Sequence, residues 1–264
     1  MINPFSLLGR ISLDLLGYLG QLANFAVEIV RSLIYGKFRW RLFFRQIVAI
    51  GFGSQLVVIV TGAFTGAVFA AQSYFKFSDF GVETTVGAVV SIAMCRELGP
   101  VLTGLMVAGR VGAAMAAEIG TMKVSEQIEA LRALAVHPVD YLVVPRLLGM
   151  LVSIPLLIAE AILFGIIASH LVVVNGFGVP AAWFQFHLED QTELEDIFIG
   201  MTKGFVFGFI IVLVSCHQGL KASHGAVGVG RATTHAVVIS SLLILIVNLF
   251  LTLLLDFFFP LGYQ

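Results

Sequence analysis

Charge is what this chain has least of. Only 12% of its 264 residues are Asp, Glu, Lys or Arg, against about 25% in an ordinary soluble domain. Hydrophobic residues make up 59%, and the mean hydropathy is +1.00. That balance excludes a water-soluble globule and points to a polytopic membrane protein. The net charge of -1 leaves no basic surplus for nucleic acid. The two cysteines, Cys95 and Cys216, lie in apolar runs. They form neither a disulfide framework nor a metal-ligand spacing, and they read as small buried hydrophobes. There is no G-x-x-x-x-G-K-[ST]: Gly36-Lys37 lacks the preceding glycine and is followed by Phe38. Nor is there an H-E-x-x-H or a G-x-S-x-G. Gly225, Gly228 and Gly230 read as a flexible turn. No cofactor, metal or catalysis is expected in this chain. Without a basic n-region and a small-residue cleavage site, no cleaved signal peptide is expected either.

What is present is long apolar runs. A span of the hydrocarbon core takes about 20 apolar residues, and five segments qualify, roughly 47–72, 84–110, 146–174, 198–217 and 235–259. Residues 1–45 differ. Leu8, Ile11, Leu15, Leu19, Leu22, Phe25 and Ile29 recur near helical spacing, with polar breaks between them. Lys37, Arg39, Arg41 and Arg45 follow, around Trp40. This predicts an amphipathic helix lying in the membrane interface. The fold expected is all-α: one domain over 1–264, with an interfacial helix (1–45) and a five-span core (46–264).

Orientation follows from the Lys and Arg residues beside the spans. The side holding 1–45, 110–146 and 218–234 collects Arg10, Arg31, Lys37, Arg39, Arg41, Arg45, Arg110, Lys123, Arg132, Arg146, Lys221 and Arg231. The other side has Lys76, with Lys203 just inside a span. The N-terminus is expected in the cytoplasm and the C-terminus outside. The outer loop 175–197 carries Glu189, Asp190, Glu193, Glu195 and Asp196 with Trp183, Phe184 and Phe186. It reads as a solvated acidic face with short interfacial helices.

Between spans two and three, Glu118–Pro138 (EIGTMKVSEQIEALRALAVHP) is charged and helix-periodic. Val124, Ile128, Leu131 and Ala135 form one stripe, while Lys123, Glu126, Gln127 and Arg132 fall elsewhere. A helix from about 122 to 135 is expected, roughly 20 Å long and too short to cross a bilayer, with Glu129 and Arg132 close enough to pair. It is either a plain connector or a coupling helix for a partner ATPase.

Arg96 and Glu97 interrupt span two about 18 Å along its helix, near mid-bilayer. Charges there should face protein or a wet cavity. Adjacent helical residues point about 100° apart, so the two need different partners, and Gly99-Pro100 should loosen the helix after them. An arginine fork suits a phosphate. Lys203 near the outer end of span four has snorkelling as its simplest reading. Gly62 and Gly66 allow close helix approach, within one subunit or across a dimer. Gln72 and Tyr74 close span one like an interfacial aromatic belt.

Several blocks together are similar to the Mla-type (MlaE/YrbE, Mce-associated) ABC transporter permease family. They are R-E-L-G-P (Arg96–Pro100) with A-G-R (Ala108–Arg110), then A-E-I-G-T-M-K-V-S-E-Q-I-E-A-L (Ala117–Leu131). A-V-H-P (Ala135–Pro138) with Pro145-Arg146, and G-R-A-T-T (Gly230–Thr234), complete the set. The resemblance implies a homodimeric permease of an ABC lipid transporter in the inner membrane, moving phospholipid between that membrane and an outer-envelope route and maintaining outer-membrane lipid asymmetry. ATP and Mg would be bound by a separate ATPase subunit, the periplasmic partner would be an MCE-domain protein, and a STAS-domain protein could accompany the ATPase. It places Arg96, Glu97 and Lys203, with Gln72 and Tyr74, at a lipid cavity. It assigns ATPase coupling to Glu126 and Gln127, with Lys123 and Glu129 behind them. Where some members carry an acid in the last span, this chain has Asn248, and Asp256 lies two turns on. The alternative is a proton-coupled secondary transporter working through Glu97. No internal repeat supports it.

Overall fold

The computed structural model describes residues 4–36, 39–223 and 225–258. Among them every regular element is a helix. In chain order these are α1 (Pro4–Tyr35), α2 (Trp40–Ser78), α3 (Glu83–Val124), α4 (Gln127–Ala133), α5 (Val139–Gly176), α6 (Ala181–Gln191), α7 (Leu194–Leu220) and α8 (Gly225–Phe258). Six are long and apolar enough to cross a membrane, one more than expected, because α1 also qualifies over Ser12–Tyr35. The chain is an all-α, multi-pass membrane protein.

The long helices overrun the apolar segments that mark them. α3 has 42 residues, about 63 Å at 1.5 Å per residue, twice a hydrocarbon core. The basic residues expected at the end of an interfacial helix belong elsewhere. Arg41 and Arg45 lie in the first turns of α2, continuous with its span, and Arg39 holds the N-cap position without a side-chain cap. Lys37 lies outside the described residues, as does the last residue of the fifth predicted span. Gly228 and Gly230 are helical too. Only Gly225, at φ +68, needs the left-handed conformation that starts α8.

Wide π-turns interrupt α2, α3 and α5. Two of them precede prolines: Met94–Leu98 before Pro100, and Val139–Val143 before Pro145. Proline lacks an N–H and crowds the carbonyl four residues back, and a wide turn is one way a helix accommodates it.

α5 is the central helix and packs against α1, α2, α3 and α7. Its Ile154, Leu157, Ile158 and Ala161 are buried. The seam with α2 is built from small residues. A Cβ on Gly62 would lie 2.6 Å from the Ala161 carbonyl oxygen, and one on Gly66 2.3 Å from that of Gly165. Gly62-x-x-x-Gly66 thus packs within the subunit on Ala161-x-x-x-Gly165, the close approach that small residues permit. α1 buries Leu22, Phe25, Ile29 and Ser32 on one stripe and exposes Leu19, Val27, Val30 and Ile34. α8 buries only Ala232, Ala236, Ser240 and Ile244 among its described residues.

Gly66→Val should lower stability by about 1–3 kcal/mol through overpacking, whereas Gly17→Ala, with no atom within 4 Å of the new Cβ, should not. Thermal unfolding in detergent checks this, and equal melting temperatures for Gly66→Val and wild type would refute the seam.

Candidate functional site

The charges of α3 do not stay isolated. The π-turn Met94–Leu98 carries Arg96 and Glu97 to the side where α7 and α8 pack. Pro100 cannot supply the N–H that would bond the Arg96 carbonyl in a regular α-helix. Lys203 Nζ donates to that carbonyl at 2.8 Å. It also donates to Glu97 Oε1 at 2.6 Å and Thr252 Oγ1 at 2.8 Å. All three ammonium protons are therefore placed, and Lys203 is fully buried. Glu97 accepts further bonds from Thr252 Oγ1 at 2.8 Å and Asn248 Nδ2 at 2.9 Å. The Asn248 Oδ1 is buried without a partner.

Arg96 turns the other way, as the angular offset between adjacent residues requires. Its Nε donates to Asp196 Oδ1, and its Nη1 donates to Asp256 Oδ1 at 3.1 Å. Asp196 is 2% exposed, and its Oδ2 accepts from the Glu193 N–H at 2.9 Å in a capping box that starts α7. The Asp256 side chain is 44% exposed. Two cations thus meet three carboxylates among apolar helices. The cluster runs from the first turn of α7 to Lys203, about 10 Å deeper along that helix. It therefore reaches the helix end beside α6 and is not confined to mid-span.

The profile of the family described as Permease MlaE matches residues 43–254. The chain belongs to the MlaE permease family. It is 42% identical over 255 residues to a probable ABC transporter permease protein of Rickettsia typhi, covering 97% of this chain and 98% of the relative. A probable ABC transporter permease protein of Synechocystis is 38% identical over 228 residues, 86% of this chain and 87% of the relative. The chloroplastic protein TRIGALACTOSYLDIACYLGLYCEROL 1 of Arabidopsis thaliana is 37% identical over 234 residues, 89% of this chain and 66% of its own length. The chain is thus a permease subunit, the non-catalytic membrane component of an ABC transporter, and such a permease implies an ATPase partner.

Other expected positions of this MlaE-family permease fall as follows. Gln72 is exposed and lines a shallow groove with Phe64, Val68 and Leu98. Tyr74 stacks on Phe177 with centroids 4.3 Å apart. Neither joins the charged cluster. Lys203 does not snorkel, because its partners are inside. Asp196 was missed as a site residue, being counted with the solvated acidic loop. Its signal was the Glu193-x-x-Asp196 spacing at the head of an apolar run.

The helix expected over 122–135 is two helices. α3 runs to Val124, the chain turns at Ser125-Glu126, and α4 spans Gln127–Ala133. Glu126 at φ 59 and Ala135 at φ 56 are left-handed. Such non-glycine residues cost of order 1 kcal/mol and persist where the surroundings hold them. Ile128 is buried and Leu131 partly so, while Val124, Glu126, Gln127 and Ala135 are exposed. Glu129 pairs with Lys123 across the turn, not with Arg132. The hydrogen bond from Lys123 holds the Glu129 carboxyl below its ordinary pKa. The tie is therefore present at neutral pH and lost as pH falls through that lowered value. Behind the turn, Arg146 Nη2 bonds Glu118 Oε2 at 2.8 Å and joins two of the sequence blocks. Arg110 Nη1 donates to Ser54 Oγ at 2.8 Å.

Lys203→Met should destabilise the protein by about 3–5 kcal/mol, because it strands Glu97. Glu97→Gln combined with Lys203→Met should recover most of that loss. Strictly additive losses in thermal unfolding would show that the two side chains are not coupled.

Proposed function

We propose that this permease conducts phospholipid for an ABC transporter in the inner membrane, between that membrane and an outer-envelope route that maintains outer-membrane lipid asymmetry. The observation that carries the reading is the Arg96–Glu97–Lys203 cluster among apolar helices. A phosphate headgroup needs a charged anchor and its acyl tails need apolar walls. Arg96 supplies the planar fork suited to phosphate, and its Nη1 partner Asp256 is the cluster's most exposed carboxylate. The relative named after a galactolipid fits a lipid-like substrate. The open apolar surface of α8, with Leu249, Phe250 and Leu253 all exposed, supports a second copy of the chain as the other wall of the pathway. Gln72 and Tyr74 would line its outer half.

ATP and Mg would be bound by the separate ATPase subunit. Glu126 and Gln127, exposed at a conformationally held turn, would meet that subunit, with Lys123 and Glu129 bracing the turn. α1, with its single buried stripe, would lie in the cytoplasmic interface, leaving five spans, the N-terminus inside and the C-terminus in the periplasm. An MCE-domain protein would receive lipid on that side, and a STAS-domain protein would sit with the ATPase.

Two variants of the purified assembly test this. Arg96→Ala should reduce phospholipid recovered with the protein about 10- to 100-fold, the range for losing a charged hydrogen bond of 1.5–3 kcal/mol, and transport should fall with it. Glu126→Lys with Gln127→Ala should uncouple ATP hydrolysis from the permease. Unchanged lipid occupancy in the first, or unchanged hydrolysis in the second, would refute the corresponding role.

A further inference from the structure

A cavity of about 540 Å³ opens at the end of the bundle that carries α4, within the size range of ligand pockets. Its walls come from α1 (Phe25, Glu28), from α4 and the chain after it (Ile128, Arg132, Val136–Val139), and from the end of α7 (His217, Leu220, Lys221). Phe25, Ile128, Val136, Val139 and Leu220 make the lining largely apolar, and Lys123, Arg132 and Lys221 add three cations.

Cations outnumber carboxylates in its lining. Glu28 is the one carboxylate among the described lining residues, and His137 Nε2 holds it at 3.4 Å. The other ring nitrogen of His137 faces Asp140 at 3.4 Å. Lys123 is taken by Glu129. Arg132 makes no ion pair among the described residues. Among the described residues Lys221 bonds neutral groups, the Gln21 amide and the face of Tyr18 with Nζ 5.8 Å from the ring centroid. Among the described lining residues three cations thus stand against one carboxylate, while Glu129 outside the lining pairs with Lys123 and also attracts Arg132. A further feature is independent of charge. His217 is 6% exposed, packed edge-on to Tyr18 at 5.6 Å, and its Nδ1 has no hydrogen-bond partner. Buried polar atoms are nearly always satisfied, and this nitrogen, which lies beneath the cavity surface, is not. The helix that forms one wall, α1, also exposes Val27, Val30 and Ile34 away from the bundle.

We propose that this cavity binds an anionic amphiphile, a single acyl or alkyl chain ending in a phosphate or carboxylate. The chain would lie against Phe25, Val136 and Leu220, and the headgroup would sit between Arg132 and Lys221. The occupant would tie α1 to α4 and so bear on the turn at Glu126. This site is separate from the Arg96 cluster, and its failure would leave the transport reading untouched.

The test is equilibrium binding of radiolabelled octyl phosphate to the full chain in phosphatidylcholine nanodiscs, with empty nanodiscs subtracted. Saturable binding is expected. Arg132→Gln with Lys221→Gln should weaken it at least tenfold, Leu220→Trp should abolish it by filling the cavity, and Lys221→Arg should retain it. Circular dichroism confirms that each variant is folded. Displacement by lysophosphatidic acid built into the nanodisc would assign the ligand to the membrane, and displacement by added octanoate alone would assign it to a soluble single-chain anion. The proposal is overturned if octanol competes as well as octyl phosphate, or if the charge variants bind normally. It is also overturned if folded wild-type protein binds no probe while the ATPase subunit shields Arg132, which would make the cavity a protein-docking cleft.

Discussion

Lys203 has no access to water, and the packing of three helices follows from that fact. An unpaired ammonium in such a place would cost several kcal/mol, so it must find three acceptors inside the protein. One is the Arg96 carbonyl, one the Glu97 carboxylate and one the Thr252 hydroxyl. Those groups lie on α3 and α8, and Lys203 itself is on α7. A change of angle between any two of the helices would leave a proton or an oxygen unsatisfied. The apolar contacts around the cluster are non-directional. The charges supply the register that those contacts lack.

The opposite device holds α2 to α5. There, side chains are removed until the backbones touch, with glycine facing alanine and glycine. Such a seam gains dispersion from close contact and leaves no side chain free to change rotamer. The bundle thus joins a side held by close-packed backbone to a side held by ion pairs, and α5 lies between them, packed on α2 and on α3 and α7.

Much of this was legible in the sequence. Apolar length marked the spans, because no soluble core needs so many consecutive apolar residues. The R-E-L-G-P block marked the centre of the charge cluster, and the offset of adjacent helical residues required Arg96 and Glu97 to part. Helix ends were not legible. Hydropathy stops at the membrane surface, whereas α3 continues to Val124 on ordinary helix formers such as Ala, Met and Lys. The turn at Ser125-Glu126 has neither glycine nor proline to announce it. Asp196 was hidden among acids that face solvent, and only its capping position sets it apart. Gly228 and Gly230 looked like loop residues by composition, yet they continue a helix whose start needs only Gly225 to be left-handed.

The ion pairs of the cluster also impose an order of events in time. Arg96 and its partner Asp196 are 100 residues apart, Lys203 and Glu97 are 106 apart, and Arg96 and Asp256 are 160 apart. A ribosome adding roughly 5–20 residues each second delivers α3 with both of its central charges about 5–20 s before the first counter-charge exists. During that interval Arg96 and Glu97 have to be sheltered by the insertion machinery, by water or by each other. α3 can settle only when α7 arrives, and the last counter-charge, Asp256, follows on α8. The charge cluster therefore closes in two stages, first as α7 arrives and then as α8 does.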